Sequence, residues 1–502
     1  MRMERPCALL LLLLVGSARA APSHFETMSL SVDGNALGVA TEDLDGDGLV
    51  DLAVVFTQGT GRETRRSLGV FWNEKGSFHP KPDLTVPVAP DTCAYDVTNV
   101  DAQPGAELLE ITPRGVRSRS FSRRTLGKST PLLEQETFFS VCDPEGLGRF
   151  PTAQTLQGGT RVLLIPGRTS LGIYRSAGAR PLLLATLRLP IPATFATKGP
   201  LGASGVPGST DPVTATLTLP SFTLADADGD GLVDVIAHQG SRIALYRQRP
   251  GPGPPFASEP DFQRDFRVET PAELERHNGL ITVSVADLDG DGVADFILHK
   301  SESEGLSSAS TTQYLYLGRK GDLPDATPTQ VLRREGAGIA EARLAGLGEG
   351  GAQMLIVPTA AMGLLPIIRA LTSKTLSVSF EFYPFGKDRR FSHTPAFTRA
   401  LTFRINFDRG SDLQAIDLSN DVNGDGRPDL VFGTGEKELS VFLSGPHGTL
   451  QEEPAERIRA LGYGVLRGAH LTSPSRSDLV LFHPRTPGHR GELQLLLNRT
   501  AW

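Results

Sequence analysis

Eight short apolar runs in this chain form four pairs, and a polar gap separates the two members of each pair. The first members are DLAVVF, DVIAH, DFILH and DLVFG, at residues 51–56, 234–238, 295–299 and 429–433. The second members are LGVFW, IALYR, YLYLG and LSVFL, at residues 68–72, 243–247, 314–318 and 439–443. β-Branched and aromatic residues are frequent in these runs, and each run is too short for a typical helix. The pattern predicts four pairs of buried β-strands.

A polar segment of nine residues leads into each of the first strands. These segments are DLDGDGLVD, DADGDGLVD, DLDGDGVAD and DVNGDGRPD, at residues 43–51, 226–234, 287–295 and 421–429. Oxygen-bearing side chains occupy positions 1, 3, 5 and 9, and glycines at positions 4 and 6 allow a sharp turn. Calcium takes about six to eight oxygen ligands, to which position 7 can add a backbone carbonyl.

We therefore predict about four calcium sites, one in each segment. A single Asp-Gly-rich segment is often an ordinary surface turn. Four copies with the same spacing favour bound cations, because the clustered carboxylates otherwise repel one another. The predicted ligands, with the residue at position 7 acting through its carbonyl, are Asp43, Asp45, Asp47, Leu49, Asp51, Asp226, Asp228, Asp230, Leu232, Asp234, Asp287, Asp289, Asp291, Val293, Asp295, Asp421, Asn423, Asp425, Arg427 and Asp429.

Two other kinds of calcium site do not match the sequence. A helix–loop–helix site needs a bidentate Glu at position 12 and amphipathic helices on both sides. Position 12 is Val54, Ala237, Leu298 or Phe432, and strand-like runs follow each segment. Paired loops of the dockerin type are excluded because the two nearest copies begin 61 residues apart.

The spacing of the four segments indicates a longer internal repeat. Their starts are 183, 61 and 134 residues apart, close to three, one and two times a period of about 61. Degenerate copies at 99–111, 156–167, 347–358 and 472–484 fill the gaps, which places strand starts near 51, 107, 161, 234, 295, 353, 429 and 478. Radially repeated units of short strands form a β-propeller. We predict an all-β chain with a single propeller, in which eight blades are favoured over seven.

The two ends of the chain are expected to close this ring. Residues 24–32 form a lone strand-like run before the first unit, and residues 491–502 end a unit after its third strand. Pairing these two segments would complete the last blade and cover both exposed sheet edges.

The DxDGDGxxDLxV loop and its strand pairs resemble the FG-GAP/VCBS-type repeats of integrin-like β-propellers. The resemblance extends over nearly all of residues 21–502 and implies calcium binding through the acidic loop positions. Asn423 departs from the usual Asp but still supplies a carbonyl oxygen. The Phe-Gly…Gly-Ala-Pro signature, stalk, membrane span and cytoplasmic tail of integrins are absent, so a receptor role does not transfer. An exported bacterial member of this repeat class is more similar.

Residues 1–20 have the features of a secretory signal peptide. Two arginines precede an apolar run that ends near Val15, and Ala18-Arg19-Ala20 matches a small-x-small cleavage pattern before Ala21. The run is too short to span a bilayer, and no later segment is long and apolar enough. We therefore expect a secreted or periplasmic propeller formed by residues 21–502.

The net charge limits the possible partners, and the remaining segments and cysteines give further structural expectations. The net charge is −7, or −9 without residues 1–20, which argues against nucleic acid as a partner. Residues 198–212 are expected to form a surface insertion, and residues 270–277 a short capped helix. An exported protein permits a disulfide between Cys93 and Cys142, but a bridge and two buried thiols remain alternatives.

No familiar catalytic motif accompanies these features. The chain lacks GxSxG, HExxH, a Walker loop and a His/Cys cluster at zinc spacing. His238 and His299 each end a predicted strand and are interpreted as core or blade-face residues. Arg114, Arg117 and Arg119 are interpreted as charges on a solvated strand edge.

Two functional classes remain. The favoured one is a non-catalytic, calcium-binding propeller that acts outside the cytoplasm as an interaction or scaffold module, with an extracellular protein or glycan as its partner. The alternative is a calcium-dependent propeller enzyme such as a polysaccharide lyase. That enzyme would need a base beside a calcium ion that is open to a uronate carboxylate.

Overall fold

The structure, a computed structural model, describes residues 23–502 with gaps at 102, 123, 157–158, 177–179, 192, 198–212, 269–278, 305–307, 339–341, 348–352, 361–363, 405–415, 436, 447–448, 463 and 500–501. The expected signal peptide at 1–20, the expected insertion at 198–212 and the expected helix at 270–277 lie outside the described residues.

Eight β-sheets follow one another along the chain, and each is one blade of a β-propeller. Blade 1 contains β2 (Asn35–Glu42), β3 (Asp51–Gln58), β4 (Arg65–Phe71) and β5 (Leu84–Pro87). Blade 2 contains β6 (Ala94–Thr98), β7 (Glu107–Thr112), β8 (Gly115–Ser122), β9 (Thr125–Leu126), β10 (Thr130–Glu134) and β11 (Gly148–Arg149). Blade 3 contains β12 (Ala153–Thr155), β13 (Arg161–Pro166), β14 (Ser170–Arg175) and β15 (Leu182–Arg188). Blade 4 contains β18 (Ser221–Ala225), β19 (Asp234–Gln239), β20 (Arg242–Tyr246) and β21 (Phe262–Asp265).

The second half of the ring repeats this plan. Blade 5 contains β22 (Gly279–Ala286), β23 (Asp295–Glu304), β24 (Ser308–Tyr316) and β25 (Gln330–Glu335). Blade 6 contains β26 (Ala337–Gly338), β27 (Arg343–Ala345), β28 (Met354–Ala360), β29 (Thr375–Pro384) and β30 (Phe397–Arg404). Blade 7 contains β31 (Ile416–Asn420), β32 (Asp429–Gly435), β33 (Glu438–Phe442) and β34 (Glu456–Arg459). Blade 8 contains β35 (Val465–Ala469), β36 (Asp478–Phe482), β37 (Glu492–Asn498) and β1 (Phe25–Ser31).

In the described part of the chain, three further elements lie outside the blades. They are a hairpin of β16 (Ala193–Thr197) with β17 (Val213–Leu217), the helix α1 (Leu364–Ser373) and a 3₁₀ turn at Gly61–Glu63. Within the described part of the chain, no helix has both the length and the hydropathy that crossing a membrane requires.

The blade number and the repeat register agree with the sequence-based prediction. The second strands of the eight blades begin at residues 51, 107, 161, 234, 295, 354, 429 and 478, and only the sixth differs from its expected start, by one residue. The weak copies at 156–167 and 472–484 contribute to blades 3 and 8, so the propeller has eight blades rather than seven.

The first strand of the chain closes the ring. β1 pairs antiparallel with β37 along its whole length, from Phe25 opposite Asn498 to Ser31 opposite Glu492. β1 therefore serves as the fourth strand of blade 8, and the predicted closure by the terminal strands is confirmed.

Hydrophobic side chains fill the spaces between neighbouring blades. The described residues form eight hydrophobic clusters, one for each pair of adjacent blades. Successive side chains of a strand point to opposite faces of its sheet. Leu52 and Val54 of β3 therefore pack toward blade 8, whereas Ala53 and Val55 pack toward blade 2. Burial on both faces explains why the second strands are continuous apolar runs.

The first strands of the blades surround the axis of the ring. One cavity is lined by β2, β6 and β35 from blades 1, 2 and 8. A second cavity is lined by β22, β27 and β31 from blades 5, 6 and 7. The loops that join first to second strands therefore begin beside the central channel.

Cys93 and Cys142 are joined as a disulfide, which resolves the alternative that the sequence left open. The bond connects the start of blade 2 with the segment that leads into β11. β11 pairs in parallel with β6, at Ala94 and Tyr95, and adds an extra strand on the inner edge of that blade.

Candidate metal centres

The four predicted calcium loops occupy the same place in four different blades. Each one connects the first strand of a blade to the second, and its ninth residue begins the second strand. The recurring glycines adopt a left-handed backbone, for example Gly46 at φ +80° and Gly48 at φ +87°. Glycine reaches this region without steric cost, which explains why it recurs at positions 4 and 6.

In each loop, the backbone N–H groups of positions 4 and 6 donate to the carboxylate of the aspartate at position 1. In the first loop, the N–H of Gly46 donates to Asp43 Oδ1 at 2.8 Å and the N–H of Gly48 donates to Oδ2 at 2.9 Å. The equivalent bonds to Asp226, Asp287 and Asp421 measure 2.7 to 3.0 Å.

The side chains at positions 3 and 5 are held by the same kind of local bond. The N–H of Asp47 donates to Asp45 Oδ1 at 3.2 Å, and the N–H of Leu49 donates to Asp47 Oδ1 at 2.8 Å. One oxygen atom of each acid thereby binds the backbone, and the second oxygen makes no such bond to the loop.

These bonds bring carboxylate oxygens together in three of the loops. In each of three triads, one oxygen per residue lies within 4.8 Å of the other two. The triads are Asp43, Asp45 and Asp51; Asp226, Asp228 and Asp230; and Asp287, Asp289 and Asp291. Two oxygens that bind one calcium ion at about 2.4 Å can be at most about 4.8 Å apart. The donor set consists of oxygen alone, so its spacing and its chemistry both fit calcium.

The fourth loop differs at position 3, where it has an amide. Asn423 Oδ1 accepts the N–H of Asp425 at 3.0 Å, and its Nδ2 donates to Asp425 Oδ2 at 3.0 Å. Asp421 and Asp425 supply the carboxylates at positions 1 and 5. This loop has the smallest negative charge of the four.

The aspartate at position 9 fastens each loop to its blade. Oδ2 accepts the backbone N–H of position 2 at 2.9 to 3.0 Å, and Oδ1 accepts a backbone N–H that follows the third strand at 2.7 to 2.8 Å. The second donors are Asn73, Gln248, Gly318 and Ser444. The sequence does not identify these four donors, because a backbone N–H requires no particular side chain.

Burial raises the pKa of all four aspartates at position 9. The pKa reaches about 7 for Asp51 and Asp234, and about 6 for Asp295 and Asp429. The bonds from backbone N–H groups act in the opposite direction, because they favour the ionised carboxylate. Burial has the larger effect on these pKa values, because the aspartate at position 9 is the most deeply buried carboxylate of its loop.

Two degenerate loops retain the acid at position 9 after losing others. In blade 2, Glu107 Oε2 accepts the N–H of Val100 at 2.8 Å. In blade 8, Asp478 accepts the N–H of Leu471 at 2.7 Å and that of Asn498 at 2.6 Å, although this loop has His, Thr and Pro at positions 1, 3 and 5. The acid at position 9 therefore has a structural role that does not depend on the rest of the acidic set.

An arginine contacts the acidic side chains of every loop. Arg247 pairs with Asp228 and lies 3.8 Å from Asp230, and Arg389 pairs with Asp289 and, at 3.1 Å, with Asp291. In the other two loops, Arg124 is 3.3 Å from Asp45 and Arg427 is 2.5 Å from Asp425. Arg124 and Arg389 come from the neighbouring blade, so these two pairs also connect adjacent blades.

The remaining candidates from the sequence have structural surroundings. His299 is buried, its Nε2 lies 2.8 Å from Ser284 Oγ, and burial lowers its pKa to about 4. Burial also lowers the pKa of the half-buried His238 to about 4. The interpretation of Arg117 and Arg119 as edge residues is wrong, because their strand β8 pairs with β7 on one side and with β10 and β9 on the other.

A family model described as FG-GAP-like repeat matches residues 226–298, which begin with the second acidic loop, continue through the last three strands of blade 4, and end in β23 after the third acidic loop. No curated protein sequence matches the chain.

Three solved structures are similar to the chain at low sequence identity. BBS1N in complex with ARL6DN is 12% identical with a TM-score of 0.35, covering 82% of this chain and 93% of that one. The V. cholerae biofilm matrix protein Bap1 is 10% identical with a TM-score of 0.33, covering 93% and 88%. An active polycomb repressive complex 2 in the basal state is 11% identical with a TM-score of 0.37, covering 93% and 96%. These TM-scores are below 0.5, so the fold assignment rests on the eight sheets themselves.

Proposed function

Because this chain is an eight-bladed β-propeller that carries an FG-GAP-like repeat, we propose that it is a non-catalytic, calcium-binding interaction or scaffold module. It is proposed to act outside the cytoplasm, in a secreted or periplasmic location, after removal of residues 1–20. Its partner is an extracellular protein or a glycan.

The convergence of carboxylates in the acidic loops is the observation that carries this proposal. Three loops bring three acidic oxygens within 4.8 Å of one another, and the fourth has carboxylates at positions 1, 5 and 9 and an amide at position 3. Magnesium prefers near-octahedral sites in which it keeps several waters, whereas calcium accepts irregular cages with more protein ligands. A loop that can offer four side chains and a carbonyl is better suited to calcium.

The calcium is proposed to stabilise the ring. Each loop begins beside the central channel and joins the first two strands of its blade. An ion that binds only the folded loop stabilises the folded state by mass action. Calcium is abundant outside the cytoplasm, where even weak loops of this kind can be filled.

A calcium titration of the intact chain tests the proposal. We expect about four ions per chain by calorimetry and by native mass spectrometry, with much weaker binding of magnesium. Asp289→Ala should remove about one ion and lower the melting temperature in calcium while changing it little in chelator. Glu453→Ala, at an exposed carboxylate outside the loops, is the matched control and should keep the full stoichiometry. Unchanged stoichiometry in Asp289→Ala would contradict the site assignment.

A further inference from the structure

The cavity between blades 8, 1 and 2 is separate from the acidic loops. Its volume is about 580 Å³, and no residue of the four loops lines it. This volume is within the range of about 300–1,000 Å³ that is typical of small-molecule sites. Its wall combines apolar side chains, among them Leu37, Val465 and Phe482, with a few polar ones.

Part of this wall is an addition to the regular blade. β11, the extra inner strand of blade 2, places Arg149 at the cavity. The disulfide between Cys93 and Cys142 fixes the segment that leads into β11. Arg66, whose side chain is buried, donates to the carbonyls of Thr92 at 2.7 Å and of Asp143 at 3.1 Å, which adjoin Cys93 and Cys142, and so binds the chain on both sides of the disulfide. The added strand is therefore held rigidly against the channel.

A buried phenol points its hydroxyl into the cavity. Tyr95 is only 2% exposed, and among the described residues its O–H has no hydrogen-bond partner. A Cβ at Gly38 would lie 3.1 Å from that oxygen, so the glycine leaves room for the hydroxyl. Register slips in β2 between Ala36 and Gly38, and such bulges are frequent beside functional sites. Burial raises the pKa of Tyr95 to about 12, so the phenol is a hydrogen-bond donor at neutral pH.

Two guanidinium groups add further donors. Arg467, which also lines the cavity, is exposed and makes no hydrogen bond or ion pair with the described part of the chain. Arg149 donates from Nε to Asp96 at 2.8 Å, and from Nη2 to Glu42 at 3.1 Å and to the Val97 carbonyl at 2.9 Å. Its Nη1 makes no bond to any described residue. Asp96 and Glu42 carry two negative charges beside the single positive charge of Arg149. Among the described residues, no acidic side chain forms an ion pair with Arg467, whose charge makes the group of four neutral in sum.

We propose that this cavity binds the carboxylate of a small organic acid. The carboxylate would accept hydrogen bonds from the Tyr95 hydroxyl, the Arg467 guanidinium and Arg149 Nη1, while the apolar wall covers the carbon skeleton. Charge-assisted bonds from arginine to a carboxylate are stronger than bonds between neutral groups. These donors have no acceptor among the described residues, so a carboxylate can bind them by displacing water from the cavity.

Binding of a sugar acid and of its neutral counterpart tests the proposal directly. We expect galacturonate to bind the intact, calcium-saturated chain by calorimetry or saturation-transfer NMR, and galactose not to bind. Succinate separates two sources of the same chemistry: preference for galacturonate indicates a sugar acid, and preference for succinate indicates an aliphatic acid. Absence of binding by both acids, or equal binding of galactose, would overturn the proposal.

Two substitutions locate the ligand. Tyr95→Phe removes only the hydroxyl, and Arg467→Gln removes the charged guanidinium and leaves a shorter, neutral polar side chain. Each should weaken binding of the preferred acid by about tenfold or more. Arg343→Gln changes an exposed arginine that lines the other axial cavity, and it should leave the affinity unchanged. Wild-type affinity in both Tyr95→Phe and Arg467→Gln would contradict the location.

The acid-binding proposal can be tested independently of the calcium proposal. Asp289→Ala should bind galacturonate and succinate with the same affinity as the wild type, so a failure of the calcium prediction would not affect this test.

Discussion

The carboxylate of Asp51 accepts the backbone N–H of Asn73 at 2.8 Å, which joins the acidic loop of blade 1 to the end of the third strand of that blade. The other oxygen of Asp51 accepts the N–H of Leu44 at 3.0 Å. The side chain of Asn73 extends this connection, because its Nδ2 donates to the carbonyl of Leu471 in blade 8 at 2.9 Å. The Asp51 carboxylate thus joins the loop to its own blade, and the Asn73 side chain joins that blade to blade 8.

We expect Asp51→Ala to destabilise the chain whether or not calcium is present. The substitution leaves two backbone N–H groups without acceptors, which should cost about 2–4 kcal/mol of unfolding free energy. Asp45→Ala, in the same loop, should cost less than about 1 kcal/mol in chelator and more in calcium, because its N–H partner can bind water. Urea denaturation in chelator and in calcium distinguishes the two. Equal losses for both variants in chelator would mean that position 9 has no separate structural role.

Arg389 is expected to compete with calcium for the third loop. Its guanidinium contacts Asp289 and Asp291, so an ion that binds there must displace it. Arg389→Ala should raise the calcium affinity of this loop by roughly three- to tenfold and lower stability in chelator by at most about 1 kcal/mol, since the pair is partly exposed. Calorimetry measures this in a background that carries Asp45→Ala, Asp228→Ala and Asp425→Ala.

Arg390 offers a matched control for that experiment, because it is the next residue and is also exposed. Arg390→Ala removes the same charge from the same turn without removing a contact to Asp289. If both variants raise the affinity equally, the effect is general electrostatics rather than competition by the Arg389 side chain.

Glu107 should make the stability of the chain depend on pH. Burial raises its pKa from an ordinary 4.5 to about 7, so the folded state binds this proton more tightly than the unfolded state does. Stability from this group is present below about pH 4.5 and is lost as the pH rises to about 7. Glu107→Gln keeps an acceptor for the N–H of Val100 but has no proton to lose.

The two proteins should therefore diverge between pH 5 and pH 8 in thermal denaturation. We expect the variant to gain roughly 1 kcal/mol relative to the wild type over this range, less than full burial would give because solvent screens the carboxylate. Glu134→Gln, at an exposed residue of the same blade, should show no such gain. Parallel pH profiles for the wild type and Glu107→Gln would show that this carboxyl group does not titrate in the expected range.

Periodicity in the sequence was sufficient to predict the blades. The second strands are buried on both faces, so they read as continuous apolar runs, and the acidic loops mark their first residues. This signal survives in blade 8, where Asp478 begins β36 although the rest of its loop has lost its acids. It weakens in blade 6, where Met354 occupies the corresponding place.

Contacts between distant segments could not be predicted from the sequence. The pairing of Arg389 with Asp289 joins residues 100 positions apart, and a surface arginine has no pattern that identifies its partner. β11 is only two residues long, so it produces no periodicity. The cavity around Tyr95 could not be predicted for the same two reasons. Its walls come from three blades that are distant in sequence, and from the short strand β11.

Closure of the ring by β1 should determine the stability of the whole propeller. Leu30 is 1% exposed and packs in the cluster between blades 8 and 1, and its partner across the sheet is Leu493. Leu30→Ala should cost about 2–5 kcal/mol through lost burial and the cavity that remains. Thr27→Ala, at an exposed position of the same strand, is the control and should change stability by less than about 0.5 kcal/mol.

The two tryptophans of the chain can be used as fluorescence probes of the blades that β1 joins. Trp502 stacks on His24 with ring centroids 4.3 Å apart, and Trp72 is buried in the cluster between blades 1 and 2. If the closed ring unfolds cooperatively, tryptophan fluorescence and circular dichroism should give a single urea transition that shifts to lower concentration in Leu30→Ala. An early fluorescence change in Leu30→Ala, with the circular dichroism midpoint unchanged, would mean that β1 detaches locally. The remaining blades would then be stable without closure, because their clusters between neighbouring sheets would suffice to hold the open ring.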